Sequence, residues 1–427
     1  MIPKGPTTQQ LLILASLPSG ILTTTAAQNA LPHLSRQAIS AAIQKLIEQK
    51  YLVSCTCTGK DRKSEKHKTE YFKLTGKAVV DFFPVLAPFC DLVDAYYSLH
   101  MPYAIKPGPL TPRVRDSYTI NRLCRIIECE QFCSAAGVRT LIDMRDIDLP
   151  AVFGKSEKSP VCRTQLIGLD LNEAACEMNH SPYWSQHDDP VCDPVSDFCF
   201  YRSVEISRLD NPSKDPTTIL SPAVGILSSR NRALTVYCTP RYGGMSWMQN
   251  SERKFMQNAM HFARCAEDPS RNRKEAFQFS EAILFYRNDR ELINFLLGKR
   301  LNRALDYGEL GNPYQRLYAI PFTQDGMKIL RHILLDPDFY HKEIMRTAEP
   351  MGQSAKVYSN MDYFAPLCIL GHNTFCALPL NITLLATLMA AVKGSDLPWF
   401  LGYPMYDSVL RKLFPECSVK GMPMPVE

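Results

Sequence analysis

Six prolines between Phe82 and Pro112 (Pro84, Pro88, Pro102, Pro107, Pro109 and Pro112) divide this 427-residue chain. Each fixes φ and lacks a backbone donor, so no long helix or central strand runs through that stretch. Only a short helix around Asp91 to Leu99 fits between them. The chain is expected to fold as a domain over 1–83, a connector over 84–115 and a larger domain over 116–427. At ~100 to 200 residues per domain, two or three domains suit the length. With 45% hydrophobic and 21% charged residues, a disordered chain, a collagen-like fibre and a coiled coil are excluded.

Charge is divided as sharply as the chain. Residues 1–83 carry eleven Lys and Arg against five acids, a net +6, while the whole chain is +5 and the remainder therefore −1. An excess confined to the first fifth points to a polyanionic partner for that part alone. The longest apolar candidate, Leu378 to Val392, is shorter than a bilayer span and contains Asn381, so no membrane partner is expected. Met1 to Gln10 lacks the apolar core of a signal peptide. The fifteen cysteines are scattered, several in apolar runs such as those around Cys90, Cys199 and Cys368. A cytoplasmic protein with free thiols is the expectation.

The basic part has a readable order. Thr7 to Leu17 is patterned as a helix stopped by Pro18, Ser19 and Gly20. A second helix starts among Thr23, Thr24 and Thr25 and ends at Leu31, before a tight turn at Pro32 and His33. A third opens at Ser35, with Ile39, Ile43, Leu46 and Ile47 on one face and Arg36, Gln37, Ser40, Ala41 and Gln44 on the other. Leu52 to Thr58 and Thr69 to Leu74 read as strands around a polar loop, Gly59 to Lys68, with five cations and two acids. This is the order of a winged helix-turn-helix. Such a helix offers Ser35, Arg36, Gln37, Ser40, Gln44 and Lys45 to the major groove. The loop offers Lys60, Arg62, Lys63, Lys66 and Lys68 to phosphates. The same fold also serves as a protein-protein module, and a Lys-rich tip is also a simple solvated loop.

Beyond the connector, Asp116 to Ala136 is patterned as a helix stopped by Gly137, and 145–200 is an irregular stretch rich in Pro, Ser, Asp and Asn. Strands are then expected at Phe198 to Ile206, Ala282 to Tyr286 and Arg316 to Phe322. A hairpin of Ile219 to Ser228 with Ala233 to Thr239 is expected to turn at Arg230 to Arg232. Helices are expected at Ser251 to Cys265, Arg290 to Leu297, Asp325 to Leu335 and Ile382 to Val392. Strands interleaved with helices predict an α/β domain with a mixed sheet.

The chain carries few complete motifs for chemistry. Gly154-Lys155-Ser156 lacks the first glycine of a phosphate-binding loop, since that position holds Leu149. No two of the nine histidines are two residues apart, which disfavours a metal-assisted tyrosine nicking site. Closely spaced cysteines are few, Cys55-x-Cys57 and Cys129-x3-Cys133 among them, and no metal and no cofactor are expected. A nuclease-like centre would draw on Glu205 with Asp143 or Asp146, but Glu205-Ile206-Ser207 is followed by Arg208 and no lysine completes the pattern. Tyr237 to Trp247 reads as a partner loop or an ordinary strand-to-helix connection.

The N-terminal order ending in Tyr71-Phe72-Lys73-Leu74-Thr75-Gly76-Lys77, the helix near 118–135 and the segment Leu234-Thr235-Val236-Tyr237-Cys238-Thr239 resemble replication-relaxation-type winged-helix proteins of plasmids and integrative conjugative elements. The resemblance covers mainly residues 7–135. It implies double-stranded DNA as partner and a role in plasmid replication, transfer or their transcriptional regulation; a homodimer is a separate expectation. Metal-dependent nicking and a protein-interaction scaffold are the competing expectations.

Overall fold

The computed structural model describes residues 5–16, 21–60, 66–78, 81, 117–140, 195, 198–203, 206, 221–229, 232–241, 249–265, 278–297, 314–348, 367–369, 372–383, 385 and 399–425. The chain is mixed α and β with mixed sheets, in two compact units. One comprises Met1–Ile219, Val224–Asn231 and Gln257–Phe277. The other comprises Leu220–Ala223, Arg232–Met256 and Gln278–Glu427, a division that runs through the region after the connector. Among the described residues no helix is long and apolar enough to cross a membrane.

The first unit begins with α1 (Pro6–Ser16), β1 (Ile21–Leu22), α2 (Thr24–Ala30), α3 (Arg36–Glu48), β2 (Leu52–Lys60) and β3 (Lys66–Leu74). The strands form one antiparallel sheet in the order β1-β3-β2. Ladder pairing continues to Lys60 opposite Lys66, so both strands reach well into the expected Gly59 to Lys68 loop. Backbone pairing of a hairpin needs no apolar side chains there, which is why hydrophobic patterning ends the strands early. α1 contributes Leu11, Leu12, Leu14 and Ala15 to the core, all at most 2% exposed.

Helix α4 (Ser117–Ala135) packs on α2, β1 and β2. It is buried on nearly every side, including Arg122, Arg125, Glu128 and Glu130. Those charges have partners. Thr23 Oγ1 donates to Glu128 Oε1 at 2.9 Å, Asn29 Nδ2 donates to the Glu128 carbonyl at 2.9 Å, and Arg122 Nη2 donates to Ser203 Oγ at 2.9 Å. Arg202 forms an ion pair with Glu130, with Nε at 3.1 Å from Oε1. The helix ends at Gly137, whose φ of 101° suits glycine, as the sequence expects. Strands β4 (Arg139–Thr140), β5 (Cys199–Arg202) and β6 (Gly225–Ser228) follow, β4 parallel and β6 antiparallel to β5. A Cβ at Gly225 would lie 2.3 Å from the Tyr201 carbonyl oxygen, so this crossing requires glycine.

The second unit contains β7 (Arg232–Cys238), β8 (Gln278–Tyr286) and β9 (Arg316–Pro321), all parallel. In chain order α5 (Gln249–Cys265) lies between β7 and β8, and α6 (Asp289–Leu296) between β8 and β9. α7 (Gln324–Leu335) and α8 (Phe339–Ala348) come next. A four-stranded mixed sheet then runs β10 (Leu367–Ile369), β11 (His372–Ala377), β12 (Trp399–Gly402) and β13 (Ser418–Gly421), with α9 (Asp407–Leu413) between the last two. Arg232, expected in a turn, instead opens β7 and is 4% exposed. Of the expected helix at Ile382 to Val392, only 382, 383 and 385 lie among the described residues.

Candidate nucleic-acid interface

Helix α3 is positioned by its own sequence. Ser35 is its N-cap, with Oγ accepting from Ala38 N at 3.2 Å, while Gln28 Nε2 donates to the Leu34 carbonyl at 2.8 Å and fixes the turn from α2. Ile39, Ile43 and Leu46 are buried, each a contribution of about 1.5 to 3 kcal/mol. Replacing Ser35 with alanine removes the cap. The full chain is expected to lose about 1 kcal/mol in denaturant unfolding, and an unchanged midpoint would refute the assignment.

The opposite face is exposed at Ser35, Arg36, Gln37, Ala38, Ser40, Ala41, Gln44 and Lys45. No carboxylate occurs on the helix before Glu48. Small side chains at 38, 40 and 41 leave the backbone approachable, while Arg36, Gln37 and Gln44 supply forked or paired donors and acceptors. This face can meet a surface rich in hydrogen-bond acceptors. The structure adds that Gln44 Nε2 donates to Glu48 Oε1 at 3.4 Å. The four-residue spacing of Gln44 and Glu48 is the sequence signal for this contact.

At the base of the hairpin, Tyr51 donates to Asp81 Oδ2 at 3.0 Å and its phenol is pushed up to about 12 by burial and that carboxylate. Lys77 lies 4.5 Å from the Tyr51 ring centroid and donates to the Gln49 carbonyl at 2.8 Å. These contacts fasten residues after β3 to the end of α3. Lys60, Lys66 and Lys68 belong to the paired strands of the hairpin, and Arg62 and Lys63 lie outside the described residues.

The other sequence candidates are not assembled into a site by the described residues. Glu205, Asp143, Asp146 and the 154–156 segment lie outside them, as do Cys162, Cys176, His180, His187 and Cys192. Cys124, Cys129 and Cys133 lie buried on α4 and take part in no disulfide. Among the described residues no group of three or more His, Cys, Asp or Glu could hold a metal ion. Of Tyr237 to Trp247, residues 242–247 fall outside the description, and Tyr237 points inward. It donates to Glu252 Oε2 at 2.6 Å and its hydroxyl is 2.8 Å from that of Tyr314, which donates to Thr235 at 2.8 Å. Burial, reinforced by Glu252, raises the Tyr237 phenol far above its ordinary range, so this hydroxyl is a packed structural donor. Compared with family models, curated proteins and solved structures, the chain matches none.

Proposed function

We propose that the first three helices and their sheet are a winged helix-turn-helix that binds double-stranded DNA. In this reading α3 enters the major groove and the β2-β3 hairpin tip rests on adjacent phosphates. The observation that carries the reading is the exposed, acid-free face from Ser35 to Lys45, beside a hairpin whose tip segment is basic. Arg36 suits guanine, Gln37 and Gln44 suit adenine, and Ser40 and Lys45 suit backbone or base acceptors. A role in plasmid replication, transfer or their regulation is carried by the sequence resemblance alone.

Selection from a random duplex library at two salt concentrations, with supercoiled plasmid and Mg²⁺ in parallel, tests the reading. Enriched duplexes retained without nicking support it. Absence of salt-sensitive retention refutes it and points to a protein partner, whereas Mg²⁺-dependent nicking assigns an enzyme. Gln37→Ala and Gln44→Ala are each expected to flatten preference at one base pair, losing about 1 to 3 kcal/mol of discrimination, with non-specific affinity nearly constant. Selected sequence profiles identical to wild type would remove these residues from base reading.

A further inference from the structure

We infer that Cys55 and Cys124 form an oxidisable pair, which hydrogen peroxide converts into an intramolecular disulfide tying strand β2 to helix α4. Cys55 faces Tyr71 directly across the β2-β3 ladder. Ile120, Cys124 and Ile127 of α4 share one core cluster with Cys57 and Tyr71, and Cys55 packs against that cluster. The thiols of Cys55, Cys57 and Cys124 all bear on the Tyr71 phenol, Cys55 most strongly. Burial, with these thiols, pushes that phenol up to about 12, so it stays protonated near neutral pH.

Exposure orders the chemistry. Cys55 is half-buried, whereas Cys57 and Cys124 are 5% and 1% exposed, so a small oxidant meets Cys55 first. Its sulfur attacks peroxide, the O–O bond breaks, a sulfenic acid forms and water leaves. The Cys124 sulfur then attacks the sulfenic sulfur, forming the S–S bond, breaking S–O and releasing a second water. Two thiols lose two electrons and one peroxide becomes two waters. Cys57 is a poor partner, because same-face residues two apart on a strand are separated by about 6.6 Å. Bridging requires Cβ atoms about 3.5 to 4.5 Å apart. Cys124 instead comes from the helix packed over this strand.

The full-length chain is reduced, freed of reductant, treated with hydrogen peroxide, digested without reductant and mapped by mass spectrometry. The expected product is one peptide pair joining Cys55 to Cys124, lighter by two hydrogens and separated again by dithiothreitol. Cys55→Ser, which leaves the buried thiols in place, should abolish the pair. Cys124→Ala should leave a sulfenic acid at Cys55 that a dione reagent captures. Cys55 oxidised without a cross-link in the wild type, Cys55 joined to another cysteine, or no oxidation at Cys55 would each overturn the proposal. The readout is chemical and stands whether or not the α3 face binds DNA.

Discussion

Reversing Lys60, Arg62, Lys63 and Lys66 to glutamate is expected to weaken duplex binding by on the order of 100-fold or more near about 0.1 M salt. Each cation resting on a phosphate releases condensed counterions, contributing about 0.9 to the slope of log affinity against log salt. If all four make such contacts, that slope should flatten by roughly 3 to 4. The loss should be alike for selected and unrelated duplexes, because phosphates carry no sequence information. The base-reading variants should behave oppositely, altering preference while leaving the salt slope unchanged. Fluorescence anisotropy across a salt series separates the two. An unchanged slope in the quadruple variant would place the interface elsewhere.

The N-terminal helices were legible because their signals are local. Ser35 caps α3, and Ile39, Ile43 and Leu46 repeat at helical spacing, so the buried and exposed faces follow from the chain alone. Other features depend on distant pairing. Ile21 and Leu22 form a strand only because Lys73 and Phe72 lie beside them. Strands β2 and β3 extend to Lys60 and Lys66 by continuing a backbone ladder through polar residues. Helix α4 shows an amphipathic pattern, yet its polar side is buried too, since Thr23, Arg202 and Ser203 meet Glu128, Glu130 and Arg122 from 72 to 105 residues away. The sheet formed by β10 to β13 was mostly hidden for another reason: its strands are only three to six residues long and include His372, Asn373 and Thr374. As for the candidate site, Arg36, Gln37, Ser40 and Gln44 were readable as an outward face, but four-residue spacing permits the Gln44 contact to Glu48 without requiring it.

Glu281→Ala is expected to be among the most destabilising single changes in the second unit, costing about 3 to 5 kcal/mol. Glu281 is 6% exposed and faces Arg232, which is 4% exposed. Arg232 Nε donates to Glu281 Oε2 at 2.7 Å, and its Nη1 donates to the Ile333 carbonyl at 2.6 Å. Arg316 Nη1 reaches the other carboxylate oxygen at 3.3 Å and donates to the Pro337 carbonyl at 2.9 Å. One carboxylate thus balances two largely buried guanidiniums where β7, β8, β9 and the end of α7 meet. Removing it leaves their charge unbalanced in a poorly solvated place, and that penalty exceeds the net value of the pair itself. The exposed Lys342 to Asp336 contact, at 2.5 Å, is shorter than most of these bonds, yet water screens it and its loss should be nearly silent. Distance alone therefore does not rank the pairs; burial does. In thermal unfolding Glu281→Ala should melt well below wild type. Adding Arg232→Met should recover part of the loss by removing one stranded charge, and the recovery stays incomplete because Arg316 keeps its own. A Glu281→Ala chain that melts like wild type would show that these guanidiniums reach water and that the network does not hold the sheet together.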